Sequence, residues 1–298
     1  MRVVDNVIRS NSPVSMRSAV LTGFSLEMTA KDNQSLHGVA PGIPRRTPIS
    51  VTFLPGEDMA ARVEAAASVR NLGFHPVPHI SARRLTSSAD LSLYLSALKR
   101  EAAIDHAFVV AGDPPTPLGP FEDALAVIES EELARHGVKT VGISGYPEGH
   151  PDISQEKLWE ALHIKHSALK ALGHEVEIMT QFAFDSGPML GWLERVRQES
   201  QITSVVRLGV PGPASVKALL RFASRCGVSA TTSVMAKYGL SITQLLNTAG
   251  PAPLLDELTQ RLKPSVHGEV RFHFYPFGGL GKTVDWIGGY GAPALAQA

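Results

Sequence analysis

Val109-Val110-Ala111-Gly112-Asp113-Pro114-Pro115 sets the reading of the fold. An apolar run stops on a glycine, an acid and two prolines, so a buried strand here leaves its sheet into a loop that cannot turn at once into a helix. Glu177-Ile178-Met179-Thr180-Gln181-Phe182-Ala183-Phe184-Asp185 repeats the design, with polar Thr180 and Gln181 at the exit. Working outward, six further runs of the same kind complete a set of eight. The expected strands are Leu21 to Met28, Ile49 to Leu54, His75 to Ser81, Ala107 to Ala111, Thr140 to Ser144, Val176 to Phe182, Thr203 to Gly209 and Val270 to Tyr275. Helix-like stretches separate most of them.

Among the connections, Asp58 caps a helix that Gly73 ends, and Ser87 or Ser88 opens another with Leu91, Tyr94, Leu95 and Leu98 at helical spacing. Further helices are expected from about Phe121 to His136, Gln155 to Leu172, Pro188 to Glu199, Ser215 to Cys226, within 228–264, and from Leu280 to Trp286. Residues 31–47 hold Gly38, Pro41, Gly42 and Pro44, so that connection should be mostly irregular.

Eight strand-helix repeats predict an α/β fold, a single-domain (β/α)8 TIM barrel over residues 19–290. Residues 1–18 read as an N-terminal extension and 291–298 as a C-terminal tail. An open doubly wound sheet would put a G-x-G-x-x-G turn after an early strand, and none follows the first three. Gly278-Gly279-Leu280-Gly281-Lys282-Thr283 lacks the spacing of a phosphate loop.

Composition narrows the function. Apolar residues make up 44% and charged residues 19%, enough for a large core. Lys and Arg number 28, as do Asp and Glu, so no basic excess points to nucleic acid. No run of about 20 apolar residues suggests a membrane span, and Arg2, Asp5, Arg9 and Arg17 break up the start, unlike a signal peptide. A cytoplasmic enzyme is expected. Cys226 is the single cysteine, read as a buried inert thiol, and the scattered histidines, including His163 and His166, predict no metal site.

In a barrel the reactive groups sit where strands end. Glu27, between Leu26 and Met28, could carry a raised pKa and act as a general acid, or could partner a lysine or a backbone amide. Asp113 could hydrogen-bond a heterocycle, with Gly112 allowing close approach, or form a turn. Tyr146 and His150 lie on a Gly- and Pro-rich loop suited to a ring or a phosphate. Gln181 could read a flat ring or bond the neighbouring strand.

Taken together, these segments resemble the methylenetetrahydrofolate reductase family. The matching pieces are Ser25-Leu26-Glu27, Val51-Thr52-Phe53, Pro78-His79-Ile80, Ala111-Gly112-Asp113, Tyr146-Pro147-Glu148-Gly149-His150-Pro151, Thr180-Gln181-Phe182-Ala183-Phe184-Asp185 and Phe272-His273-Phe274-Tyr275. The resemblance implies a barrel that holds FAD at its C-terminal face, takes electrons from NAD(P)H and interconverts 5,10-methylenetetrahydrofolate and 5-methyltetrahydrofolate. It implies Glu27 as the acid, Asp113 and Gln181 as folate contacts, and Thr52, His79, Gly112, Asp113, Tyr146, His150 and Lys165 as flavin contacts. A small-molecule folate would be the partner, and Leu- and Ala-rich outer helices would permit a homo-oligomer. The sequence also departs from the family. Ala111 stands where the family has an arginine, and Lys165-His166 where it offers an arginine-lysine pair to the FAD phosphates. These departures open two other expectations: direct hydride transfer from NAD(P)H without a flavin, or a folate-binding barrel without redox activity.

Overall fold

The computed structural model describes residues 13–228 and 248–292. Its barrel strands are β1 (Ser25–Met28), β2 (Pro48–Val51), β3 (His75–Ser81), β4 (His106–Val110), β5 (Thr140–Gly145), β6 (Glu175–Phe182), β7 (Val205–Pro211) and β8 (Val270–Tyr275). Each pairs in parallel with its neighbours in chain order, and β8 closes on β1 with Ser25 opposite His273 and Leu26 opposite Phe274. The architecture is therefore a (β/α)8 TIM barrel.

Strand alternation separates two cores. Leu26, Met28, Leu208, Val210, Phe272 and Phe274 join the main core, which also takes in the apolar faces of the helices. Val77, Phe108 and Met179 form a separate cluster inside the barrel, with Val110 against it. Gly142 makes room for that cluster, because a Cβ there would lie 2.6 Å from Cδ2 of Phe108. Below it the barrel is plugged by charge. The Arg207 guanidinium donates to both Glu177 carboxylate oxygens at 2.7 and 3.1 Å and to the Gly23 carbonyl at 2.9 Å.

The helices begin as their capping residues direct. Asp58, Ser87, Ser154 and Ser215 each accept a hydrogen bond from a backbone N–H in the first helical turn. Several boundaries differ from expectation. β1 starts at Ser25 because Thr22 and Gly23 form a turn, and β2 ends at Val51, which leaves Thr52 and Phe53 on the rim. The helix expected from Phe121 to His136 is two, Ala124–Glu129 and Glu132–Arg135, because Glu131 adopts a left-handed backbone with φ of 60°. Residues 31–47 hold one helix, Asn33–Val39, between short 3-10 turns. Within the stretch read as an extension, Pro13–Val20 is helical, and Arg17 clamps it to Asp256 through bonds of 3.0 and 2.8 Å. Of the helices expected in 228–264, residues 229–247 lie outside the described residues. Ala252–Arg261 and Pro264–His267 are helical, and Thr248–Ala249 pairs antiparallel with Ala214–Ser215. The last helix runs on to Gly291.

No helix among the described residues is long and apolar enough to cross a membrane.

Candidate active site

β1 turns Ser25 and Glu27 to the barrel interior, and the side chains facing Glu27 come from β3 and β8. His79 Nε2 lies 3.9 Å and His273 Nε2 3.7 Å from Glu27 Oε2. Both distances exceed a hydrogen bond. The two Nε2 atoms are buried without a hydrogen-bond partner, as is the hydroxyl of Ser50, which sits opposite Glu27 in the ladder. The far nitrogen of His273, Nδ1, is 2.8 Å from Ser25 Oγ. Three orphaned polar atoms beside one carboxyl group are costly in a folded protein, and groups of this kind mark a catalytic role or a place for water or ligand.

Burial governs the charge state. It raises the Glu27 pKa to about 7, against the opposing field of His79. It lowers His79 to about 4, with Glu27 opposing and His273 adding to the drop. It lowers His273 to about 3, aided by the Arg207 charge. Near neutral pH this cluster thus holds two uncharged imidazoles and a carboxyl group poised between its acid and its base, the condition a general acid requires.

Gln181 reaches the same mouth by a distortion of β6. The β6–β7 register shifts between Met179 and Phe182. The local bonds explain how the shift is kept: Gly209 N–H donates to Thr180 Oγ1 at 2.8 Å, and the Tyr275 hydroxyl donates to the Thr180 carbonyl at 2.9 Å. Bulges of this kind re-aim side chains beside active sites. The Gln181 Oε1 accepts from Phe182 N–H at 3.1 Å. Beside Gln181 lies Cys226, whose thiol pKa is pushed up by burial and by the Glu27 charge. This corrects the expectation for Cys226, which is half-buried at the mouth rather than sealed in a core. It stands there because the helix Val216–Cys226 passes over the rim. Phe222 on that helix stacks on Phe277 at 4.1 Å, Phe277 stacks on Tyr275 at 5.7 Å, and Gly227 abuts the Pro151 side chain.

The other residues singled out by sequence sit around this centre. The Thr52 hydroxyl donates to the Met28 carbonyl at 3.2 Å. Gly112 has φ of +92°, and a Cβ there would lie 2.1 Å from Ser81 Oγ, so only glycine lets this loop lean onto β3. Asp113 is turned to Arg84, whose Nε donates to Oδ1 at 3.0 Å. Tyr146 meets the His150 ring edge-on at 5.6 Å, and burial raises its pKa, against the opposing effect of a hydrogen bond with Ser144. The His150 Nδ1 accepts from Asp152 N–H at 3.2 Å. The structure therefore gathers Glu27, His79 and Gln181 with His273, Tyr275 and Cys226, and sets Asp113 apart in its own ion pair.

Sequence reasoning did not assign roles to Ser25, His273, Tyr275 or Arg84. A signal was available for two of them: in Phe272-His273-Phe274-Tyr275 the polar residues alternate with phenylalanines, which turns both inward.

FAD requires cations at its diphosphate. Lys165 and His166 stand at the positions that the resemblance gives to this role. Lys165 is desolvated, which lowers its pKa, and the opposing charge it feels is that of Asp123. His166 Nε2 hydrogen-bonds Ser204 Oγ at 2.9 Å, beside the start of β7. Lys165 is thus one cation where the resemblance has a pair. No group of three or more His, Cys, Asp or Glu among the described residues could hold a metal ion.

No family model matches the chain. Among solved structures, the chain is similar to an uncharacterised protein from Clostridium thermocellum that binds two copies of 5-methyl-5,6,7,8-tetrahydrofolic acid. The TM-score is 0.62 at 9% identity, over 90% of this chain and 93% of that one. It is also similar to a thermostable aldo-keto reductase in complex with epalrestat, with a TM-score of 0.47 at 14% identity, over 92% of this chain and 91% of that one. At 9% identity the first likeness concerns the fold alone.

Proposed function

We propose that this barrel binds a reduced folate at its C-terminal mouth and interconverts 5,10-methylenetetrahydrofolate and 5-methyltetrahydrofolate, with NAD(P)H as the electron partner and Glu27 as the proton donor. The observation that carries the reading is the Glu27 carboxyl group, raised to about 7 by burial and faced by two imidazole nitrogens that lack partners. The folate bound by the Clostridium thermocellum barrel supports the choice of ligand.

In the reducing direction, protonated Glu27 gives its proton to N10 of the folate as the bond from N10 to the methylene carbon breaks. The carbon stays on N5 as an iminium, and a hydride from NAD(P)H reduces it to a methyl group. The products are 5-methyltetrahydrofolate, NAD(P)+ and ionised Glu27, which regains a proton from solvent. The neutral neighbours matter. A charged imidazole at 3.7 Å would hold Glu27 ionised and remove the acid. Ser25, bonded to His273 Nδ1, fixes that ring's orientation.

Ala111 and His166 stand where the family resemblance has basic residues, and on that ground the hydride is taken directly from the nicotinamide. The test is anaerobic mixing of protein, methylenetetrahydrofolate and NADPH or NADH, followed at the nicotinamide absorbance band. Oxidation of the nicotinamide with formation of 5-methyltetrahydrofolate, by a protein without flavin absorbance, is expected. A purified protein carrying stoichiometric FAD overturns the flavin-free form. Folate binding without turnover leaves the barrel a binding protein.

A further inference from the structure

The helix Val216–Cys226 starts just past β7 and crosses the barrel mouth, and two contacts fix its path. Phe222 stacks at 4.1 Å on Phe277, which lies beyond the end of β8. Gly227, which ends the helix, abuts the loop after β5 so closely that a Cβ there would lie 2.4 Å from Pro151 Cδ. Phe222 and Cys226 are four residues apart, so their side chains leave the same face of the helix. That face looks inward, because Phe277 also stacks on Tyr275 at 5.7 Å and the Tyr275 ring meets His273 edge-on at 4.7 Å. Cys226 therefore projects into the space that holds Glu27. The electrostatics agree. Burial and then the Glu27 charge push the thiol pKa up, with Gln181 opposing, and the Tyr275 hydroxyl, raised first by burial, responds to Glu27, Tyr146 and Cys226 together. Into the same space His273, whose side chain is 0% exposed, aims its unpartnered Nε2.

Cys226 carries the only thiol in the chain. A neutral thiol is a poor nucleophile until a base takes its proton. Such a base appears at this mouth once Glu27 has given its proton to N10 of the folate. We propose that Cys226 is a nucleophile that captures the one-carbon unit of the folate as a covalent adduct while no hydride donor is bound. This deepens the folate reading and rests on it. The sulfur attacks the iminium carbon, the S–H proton passes to the Glu27 carboxylate, and the electron pair of the C=N bond returns to N5. The bond from N10 to the methylene carbon is thereby exchanged for one from sulfur to that carbon. N10 keeps the proton it received, Glu27 is an acid again, and nothing is oxidised or reduced. Reversal expels the sulfur and restores the iminium for the hydride. The capture shields a reactive carbon from water and lets the folate enter before the nicotinamide.

The experiment is carbon-13 NMR of the full chain labelled at the cysteine β carbon, which gives a single protein resonance. It is mixed without oxygen or nicotinamide with 5,10-methylenetetrahydrofolate labelled at the methylene carbon. The cysteine resonance should move to a thioether position and the methylene resonance to that of a carbon between nitrogen and sulfur. Cys226→Ser and Cys226→Ala should both lose the shifted methylene signal, and Glu27→Gln should lose it because ring opening needs the acid. 5-Methyltetrahydrofolate, which has no electrophilic carbon, should produce no thioether. Addition of NADPH or NADH to the adduct should release 5-methyltetrahydrofolate and restore the free thiol. A wild type that reduces methylenetetrahydrofolate yet shows no nitrogen–carbon–sulfur signal at saturating folate overturns the capture and leaves the folate reading intact. A signal that persists in Cys226→Ala, or that forms equally in Glu27→Gln and from formaldehyde alone, also overturns it. No binding of methylenetetrahydrofolate by any of the proteins overturns both.

Discussion

Two glutamates point into the same barrel and meet opposite fates. Glu177, near the N-terminal end of β6, receives both arms of the Arg207 guanidinium, and its pKa falls below the usual carboxylate value although burial pushes it up. Glu27, at the C-terminal end of β1, is as desolvated, yet its nearest basic groups are two imidazoles that burial keeps neutral, and its pKa climbs to about 7. The residue type is the same and the depth comparable, so the partner decides. A permanently charged guanidinium makes a structural ion. Two titratable rings beyond hydrogen-bond range leave a mobile proton. One end of the barrel is a plug and the other a candidate acid, in keeping with the division of labour in TIM barrels.

The largest effect expected from breaking this contrast is on turnover. Glu27→Gln should keep folate binding and lower the rate of folate reduction by roughly 10²- to 10⁴-fold, the usual worth of a general acid. Stopped-flow traces at the nicotinamide band check it, and a variant within a few-fold of wild type removes Glu27 from the chemistry. In the wild type the reducing rate should fall as pH rises through about 7, where Glu27 loses its proton.

Next comes the plug. Arg207→Met strands Glu177 as an unpaired buried carboxylate and should cost about 3–5 kcal/mol of stability in urea unfolding at pH 7.5. A loss below about 1 kcal/mol would mean that water reaches Glu177 and that the two ends of the barrel are alike in solvation.

Glu27→Gln should act on stability in the opposite sense. The folded pKa of Glu27 is raised from 4.5 to about 7, so between those values the folded state holds the proton that the unfolded chain releases, and stability falls as pH rises. Above pH 7 the native protein carries the full penalty, roughly 3 kcal/mol for a shift of this size. The variant should therefore be more stable than wild type at pH 8 by up to that amount, with the advantage fading towards pH 4.5. Paired unfolding curves at pH 5 and 8 read the difference. The histidines, whose folded pKa values lie below the unfolded one, work oppositely below about pH 6.5, so the curve at pH 8 reads Glu27 most directly.

The smallest effect concerns the bulge. Tyr275→Phe leaves the Thr180 carbonyl without its hydroxyl donor and should cost about 1 kcal/mol. It should also weaken folate binding through a misplaced Gln181. Binding unchanged at that stability cost would detach Gln181 from the ligand.

How much of this was readable beforehand follows from the range of the interactions. β3 and β8 begin and end where the sequence places them, because His75 to Ser81 follows a helix stop at Gly73 and Val270 to Tyr275 follows Gly268. Eight apolar runs with interleaved helices sufficed for the barrel. Local composition could also mark Glu27 as an acid among apolar neighbours. It could not show that His273 would face it, since that contact exists only once β8 closes on β1. Nor could it show the Thr180–Gln181 bulge, which Gly209 and Tyr275 stabilise from two other strands. The helix expected up to Cys226 is present, but its path over the mouth depends on packing of Phe222 and Gly227 that no periodicity encodes. Ala111 reads as a lost arginine. The structure supplies a guanidinium beside Asp113 from Arg84, 29 residues away in the chain.

The contrast between the two carboxyl groups can be read directly by site-resolved carbon-13 NMR titration of Glu27 and Glu177 in the ligand-free protein. A Glu27 midpoint near 7 and a Glu177 midpoint below 4.5 are expected. A Glu27 midpoint at the ordinary carboxylate value, alongside that of Glu177, would remove Glu27 as the proton donor.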